Sequence, residues 1–471
     1  MSLRLKPYPA YKDSGVPWLA RLPIHWSAKR AKSVFTAIDV RSANGEEELL
    51  TVSSNDGVVP RREKSVTMFM AESYAGHKLC WPGDLVINSL WAWARGLGFA
   101  RHHGIVSTAY GVYRPRPAYA SSCDYLDYLI RSKAYDWELH VRSKGIWISR
   151  LQMTDESFFD MPIVLPPSGE AQQIARFLDH ADRRINRLIR AKRRLIELLD
   201  EQKQAIINRA ITCGLDPNVR LKPSGIDWLG DVPEGWEVRK LGHIARVFNG
   251  TTPSRMQPRY WDQGTEAWLA SGKVNDQIVR TPTDLISEDA VRECSLSLVP
   301  NGALILGMVG QGKTRGMSAR LGIDAYINQN LAAIVPRAGV DGQFLHSVLI
   351  AAYGSIREVG RGGNQEALNC EIVRSVRLPL PPLPEQVAIG QSIAESTTEL
   401  YRAIAQPQRE IDLLREYRTR LITDVVTGQL DVRGVALPPL DDDEPLDALD
   451  AADGDDAEAL LEGAEGGDGD D

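Results

Sequence analysis

A long stretch of this sequence is written twice. Residues 12–30, KDSGVPWLARLPIHWSAKR, align with residues 222–240, KPSGIDWLGDVPEGWEVRK, at a constant offset of 210. Seven of the 19 positions are identical: Lys12/Lys222, Ser14/Ser224, Gly15/Gly225, Trp18/Trp228, Leu19/Leu229, Pro23/Pro233 and Trp26/Trp236. A second pairing starts at Leu165-Pro166-Pro167 and Leu380-Pro381-Pro382, offset by 215. It takes in Glu170/Glu385 and Ile174/Ile389 and closes on Thr212/Thr427, Leu215/Leu430 and Asp216/Asp431. Solenoid units run to about 20–45 residues, so this period describes a tandem copy of a whole domain with its spacer.

Both spacers open alike. Pro-Pro stops a preceding strand, and a glutamate three residues later suits the positive first turn of a helix. In the first spacer Ile174, Ala181, Leu188 and Leu195 recur every seventh residue, flanked by Leu178, Ile185, Leu199 and Ile206. In the second, Ile404, Ile411 and Val425 fit one such series, Leu400, Leu414 and Leu421 the next, and Ile393 precedes them. Seven-residue spacing of apolar side chains predicts a packed helical seam. Two copies of equal length predict that the helices pair with each other as an antiparallel coiled coil. The first, if helical from Glu170 to Ile211, is about 60 Å long at ~1.5 Å per residue. Pro407 lies inside the second and is expected to kink or split it.

Outside the spacers, Asp84–Asn88, Ala303–Leu306 and Leu331–Val335 have the pattern of short strands, and Ser121–Lys133 and Gly342–Val359 that of helices. The fold class is α/β (mixed α+β), a pseudo-two-fold internal repeat. The expected domains are residues 1–164 and 217–379, with helical spacers at 165–216 and 380–432 and a tail at 433–471.

The formal net charge of −7 hides an asymmetry. Residues 441–471 hold 15 Asp/Glu and no Lys/Arg, which leaves residues 1–440 at +8. A basic body suits a polyanionic partner, and the acidic, aromatic-free tail is expected to be disordered. The tail reads as a solubilising appendix, the other reading being a DNA mimic that tempers non-specific binding. Five cysteines, none in a CxxC pair, point away from a disulfide framework or a cysteine zinc site and toward the cytoplasm. No apolar run approaches the ~18 residues of a membrane span.

Gly307-Met-Val-Gly-Gln-Gly-Lys313-Thr314 matches the phosphate-cradling GxxxxGK[ST] pattern behind an apolar strand. A phosphate-binding loop must open a helix, yet Gly316 and Gly322 follow at once without helical periodicity. The segment therefore reads as a β-turn carrying exposed Gln311, Lys313 and Arg315. Such side chains suit DNA, where Gln and Asn read adenine edges, Arg and Lys read guanine, and both cations hold phosphates. The second domain's candidates are Lys273, Gln311, Lys313, Arg315, Asn328, Gln329, Asn330, Arg361, Asn364 and Gln365. The first domain's are Arg61, Arg62, Lys64, Asn88, Arg95, Arg101, His102, His103 and Lys144. Asn328-Gln329-Asn330 could equally brace a turn. His102-His103, without a Cys or carboxylate partner nearby, reads as loop rather than metal site, and no metal is expected. The tryptophans of the repeated SGxxWLxxxPxxW read as packing rather than base-stacking residues. No HExxH, GxSxG or Asn/Asp-Pro-Pro-aromatic motif is present, so no catalytic residue is assigned.

In order and duplication, these motifs resemble the specificity (S) subunit of type I restriction–modification systems over residues 10–432. The carriers are the entries at Ser14–Trp26 and Ser224–Trp236, the two Leu-Pro-Pro-x-x-Glu helix starts and the paired Thr-x-x-Leu-Asp ends. Gly302–Lys313, Ile327–Asn330, Pro82–Leu90 and Gly104–Tyr110 add to them. The resemblance implies two target recognition domains, each reading half of a bipartite, asymmetric site in double-stranded DNA. It implies helices that set the half-site spacing and dock two methyltransferase (M) subunits, with restriction (R) subunits joining. S-adenosylmethionine, ATP and magnesium would then belong to those partners, and the chain itself would be non-catalytic. A P-loop nucleotide-binding protein and a coiled-coil scaffold that reads no DNA are the rival readings. The acidic tail lies outside the family pattern.

Overall fold

Leu165 ends a short strand, and directly after the two prolines that follow it the chain is a helix that runs 46 residues, Ser168–Cys213. Its counterpart is the helix Leu383–Val426, which follows the strand Arg377–Leu380. The prolines set both starts: the Pro167 carbonyl accepts from the amides of Glu170 and Ala171, and the Pro382 carbonyl from those of Glu385 and Gln386. The computed structural model describes residues 5–54, 56–63, 73–145, 151–310, 312–359 and 367–437. The tail at 438–471 lies outside the described residues.

The chain divides into two compact units, residues 1–193 with 409–471 and residues 194–408. The division cuts both long helices, because each unit contains the start of one helix and the end of the other.

In the first unit, Tyr11–Val16 forms a hairpin with Leu19–Pro23, and Ser27–Arg30 pairs antiparallel with Pro162–Leu165. A four-stranded antiparallel sheet has the order Phe35–Ala37, Gly111–Pro115, Leu85–Ile87, Leu97–Phe99. Its main core gathers Trp26, Phe35, Tyr125, Tyr135 and Phe158 with Ile174 and Leu178 of the first long helix and Leu421, Val425 and Val426 of the second. The helix segments run antiparallel within this unit: Asp182 pairs with Arg418 at 2.9 Å, and Lys192 further along pairs with Glu410 further back.

The second unit repeats this plan. A hairpin joins Leu221–Pro223 to Asp231–Pro233, and Glu237–Lys240 pairs antiparallel with Arg377–Leu380. The five-stranded sheet runs Ala245–Asn249, Leu331–Pro336, Leu304–Gly307, Ser318–Leu321, Ile278–Val279, with the last pair parallel. Its first four strands have the same order as the first unit's sheet. Here Ile207 and Ile211 share a core with Ile389 and Ile393, and the Lys203 ammonium lies 4.9 Å over the Tyr401 ring, so the helix segments are again antiparallel.

The seam of the first long helix differs from the expected one. Ile174, Leu178 and Ile185 are buried and Leu199 and Ile206 half-buried, but Leu188 and Leu195 are 46% and 47% exposed. The covered stripe instead repeats every eleventh residue, through Ile174, Ile185, Ile196 and Ile207 and through Leu178, Ile189 and Ile211. Eleven residues make three turns of a nearly straight helix, whereas a strict seven-residue series drifts ~20° per heptad around it. That drift carries Leu188 and Leu195 out to solvent.

The second helix keeps the seven-residue spacing. Ile393, Ile411, Leu421 and Val425 are buried, and Leu400, Ile404 and Leu414 half-buried. Pro407 falls on the same seam, is buried, and does not split the helix, which continues from Leu383 to Val426. Proline removes one N–H from the ladder, and here the ring occupies an inward seam position. No described helix is long and apolar enough to cross a membrane.

Candidate nucleic-acid interface

Each unit is closed by the same latch. In the first, Trp26 is fully buried and its Nε1–H donates to Glu170 Oε1 at 3.0 Å. The Tyr8 hydroxyl donates to the same oxygen at 2.6 Å, and His25 Nε2 lies 2.7 Å from the other. Burial, then the bond to Glu170, pushes the Tyr8 phenol pKa far up, which keeps it a donor. In the second unit Trp236 Nε1–H donates to Glu385 Oε1, also at 3.0 Å. The repeated tryptophans and helix-start glutamates are thus one structural device, and Trp26 and Trp236 are not base-stacking surfaces. Trp18 and Trp228 pack against the same two cores.

The polar candidates of the first unit lie on the loops around its sheet. Arg101 and His102 are exposed directly after the strand Leu97–Phe99. The His103 ring packs at a tilt against Trp81 with centroids 5.2 Å apart, its Nδ1 3.1 Å from the Cys80 carbonyl. Lys144 is exposed. Arg62 is exposed and pairs with Glu48 at 2.8 Å, while Arg61 is half-buried. Arg95 has left-handed backbone (φ 62°) and pairs with Asp136 at 3.0 Å. Asn88 is a brace: its amide donates to the Tyr110 hydroxyl at 3.1 Å, and its Oδ1 accepts from the Leu90 amide. Lys64 lies outside the described residues.

In the second unit the Gly307–Thr314 segment is a hairpin loop, as the glycines that follow it require. Leu304–Gly307 turns back into the antiparallel strand Ser318–Leu321, with Gly307 N–H donating to the Met317 carbonyl and Gly316 N–H to the Gly307 carbonyl. Among the described residues no helix opens there, so no row of helix-start amides faces a phosphate. The loop is propped from the helix Tyr353–Val359: the Tyr353 hydroxyl donates to the Lys313 carbonyl and Arg357 Nη1 to the Gly312 carbonyl, both at 2.8 Å. Lys313 is exposed on this platform, but Arg315 is not, being 3% exposed. The strand following the loop begins at Ser318 and draws Arg315 inward with it. Asn328 is also buried and accepts from the Asn330 amide at 3.2 Å, the turn-bracing alternative. Half-buried Asn330 gives its carbonyl to the Met308 amide. Exposed Gln329 accepts from the Thr252 hydroxyl at 2.5 Å. Lys273 is half-buried between Asp276 and Thr281. Gln311, Arg361, Asn364 and Gln365 lie outside the described residues.

One cationic feature escaped the reading of the sequence. Arg183, Arg184, Arg187, Arg190, Lys192, Arg193 and Arg194 put seven cations into 12 residues of the first long helix with no acid among them. The cations follow no apolar period, so the spacing that marks the seam does not mark them.

Residues 233–408 match the family model of the type I restriction modification DNA specificity domain. The chain is 23% identical to the MjaVIII type I specificity subunit of Methanocaldococcus jannaschii over 320 residues, 66% of this chain and 71% of that one. It is 23% identical to the EcoR124I/EcoR124II specificity subunit of Escherichia coli over 190 residues, 38% and 47% of the two chains. Residues 233–408 thus match a type I specificity domain, and the chain is similar to specificity subunits of type I restriction–modification systems. In fold it is similar to a solved chain from a study of complex assembly and conformational transition of the type I R-M system. That likeness has a TM-score of 0.59 at 17% identity and covers 87% of this chain and 99% of that one. The hairpin at Gly307–Thr314 lies inside the residues that match the specificity-domain model.

Proposed function

We propose that this chain is the DNA-reading, non-catalytic subunit of a type I restriction–modification complex. Each unit reads one half of a bipartite, asymmetric target in double-stranded DNA. Residues 1–164 and 217–379 are the two readers. The helical spacers 165–216 and 380–432 pair as an antiparallel coiled coil that fixes the half-site spacing and docks two methyltransferase subunits. S-adenosylmethionine, ATP and magnesium act on those subunits and on the restriction subunits, in the cytoplasm.

The observation that carries this reading is the repeated plan: two units with one strand order, one Trp–Glu latch each and a shared pair of long helices. Two similar readers on one frame suit a two-part target. The exposed side chains best placed to meet DNA are Arg62, Arg101, His102 and Lys144 in the first unit and Lys313 and Gln329 in the second. The buried Arg315 and Asn328 act from below, by shaping loops.

Methylome sequencing of a host with and without the chain tests the proposal, with loss of one bipartite motif as the expected outcome. Replacing residues 13–164 by another recognition domain is expected to change one half of that motif. A change in both halves, or in neither, would refute the division of labour.

A further inference from the structure

The basic stretch of the first long helix and the acidic residues 441–471 belong to the same chain, and the described chain ends beside the start of that helix. Between Arg183 and Arg193 lie six cations and no acid. Over the two helix segments of the first unit, residues 168–193 and 409–426, eleven Lys/Arg face seven Asp/Glu. Several of those carboxylates are already engaged: Asp179 by Arg183, Asp182 by Arg418 and Glu410 by Lys192. Arg184 and Arg187 are exposed.

This face continues a cleft of about 1290 Å³ within the same unit, whose walls include Arg101, Arg131, Arg176, Arg415 and Arg418 beside Asp127 and Asp182. Gln172, Arg176 and Asp179 line the cleft from the helix. At helical steps of three and four their face runs on through Arg183, Arg187 and Arg190.

The chain's own path supplies the occupant. After the second long helix, buried Val432 holds the chain to the first unit, Arg433 lies 4.8 Å over the Tyr8 ring, and the Arg433 carbonyl accepts from Gln173 Nε2 at 2.6 Å. The chain therefore leaves the body beside the first turns of the first long helix. Arg183 and Arg193 lie about 15 and 30 Å further along that helix at ~1.5 Å per residue. A flexible chain of twenty residues spans about 25 Å, from ~5–6 Å times the square root of its length. Residues 441–471, with 15 carboxylates, are therefore long enough to reach those cations, and a tether of that length sets an effective concentration in the millimolar range.

We propose that residues 441–471 dock on the basic face of the first long helix from Arg176 to Arg193 and hold it against other polyanions. Resting on the DNA-reading function above, this makes the tail an internal competitor of DNA backbone. It suppresses sequence-independent binding and leaves recognition of the target to the loops of the two units. Because the contact is between exposed charges, it weakens with salt on the scale of the ~10 Å screening length at about 0.1 M.

Two measurements test it. The first compares the whole chain with one ending at residue 440 for binding of a random-sequence duplex. The shortened chain is expected to bind about tenfold tighter in low salt, the gap closing as salt rises, and a synthetic peptide of residues 441–471 is expected to restore the weaker binding. Arg184→Glu with Arg187→Glu is expected to shrink the gap. The second places a photo-cross-linking residue at Ala457 in the full chain without DNA, with cross-links expected on residues 172–193. Equal DNA affinity with and without the tail, cross-links scattered over the chain, or cross-links only between copies would each overturn the proposal. If the cross-links fall as expected while the complex with its methyltransferase partners prefers no DNA sequence, docking stands and the DNA-reading function fails instead.

Discussion

Substituting Glu170 by alanine tests whether the latch works as described. The carboxylate takes hydrogen bonds from the Tyr8 hydroxyl and Trp26 Nε1, on residues 3% and 0% exposed, and sits in the first turn of a 46-residue helix. Alanine leaves two buried donors without an acceptor, at about 1–3 kcal/mol each. It also removes a first-turn anion worth about 0.3–1 kcal/mol. The half-exposed His25 adds little, because water can replace its partner. The total is about 2–7 kcal/mol, a large part of the ~5–15 kcal/mol that holds a typical domain. Glu385 accepts from one buried donor, Trp236, and is likewise a first-turn anion, so Glu385→Ala is expected to cost about 1–4 kcal/mol. Glu170→Gln keeps an acceptor for Trp26 and is expected to fall between alanine and wild type. Urea titration by tryptophan fluorescence, with calorimetry to separate the two units, ranks the variants. If Glu170→Ala lies within about 0.5 kcal/mol of wild type, or costs no more than Glu385→Ala, the shared acceptor is not what closes the first unit.

Leu188→Ala and Leu195→Ala are expected to be nearly neutral in thermal melts, whereas Ile189→Ala, at 7% exposure, is expected to cost about 2–4 kcal/mol; the opposite ranking would restore the seven-residue seam. Gly428 and Gly214 end the two long helices at φ 71° and 70°, so alanine strains both by about 1 kcal/mol. At Gly428 the new Cβ would also lie 2.5 Å from Pro23 Cδ, so Gly428→Ala is expected to melt well below Gly214→Ala, whose nearest neighbour is 3.1 Å away. Burial lowers the pKa of His346, whose Nε2–H donates to the Ser318 carbonyl at 3.1 Å. The unfolded chain then binds that proton first, so stability from this group is complete above the ordinary value of 6.5 and lost as pH falls below it; His346→Gln is expected to flatten that part of the pH–melting curve.

The sequence made the frame legible because its signals are local. Pro-Pro-x-x-Glu sets a helix start wherever it stands, and Trp-x7-Trp with its prolines kept its spacing in both copies. The repeated sheet was invisible, since Leu85–Ile87 and Leu304–Gly307 share a place in the strand order but no residues at the 210 offset. Strands of three or four residues carry too little pattern to align. The interface candidates were legible as residue types only. Asn88, Asn328 and Lys273 had the right chemistry but spend it on Tyr110, Asn330 and Asp276. Whether an amide braces a turn or meets a ligand depends on the direction of the loop, which is a property of the fold.

The way each unit borrows a helix end has a consequence for any half of this chain. A fragment of residues 1–216 keeps the first reader and its own helix but loses Leu421, Val425, Val426 and Val432, all in the first unit's core. Burying four such side chains contributes on the order of 6–12 kcal/mol at about 1.5–3 kcal/mol each, comparable with a domain's whole stability. The fragment also exposes Ile207 and Ile211, which the intact chain buries in the second unit. The missing and surplus segments are the two copies of the same repeat, ending in Thr212-Cys213-Gly214 and Thr427-Gly428. Both threonines bond the carbonyl four residues back, at 2.8 and 2.7 Å. Two fragments can therefore complete each other, the helix end of one filling the place of residues 409–428 in the other. Sedimentation equilibrium on residues 1–216 is expected to give a dimer whose stability rises with concentration. A folded monomer melting like the intact chain would show that the borrowed helix end is dispensable and that the latch closes on its own helix alone.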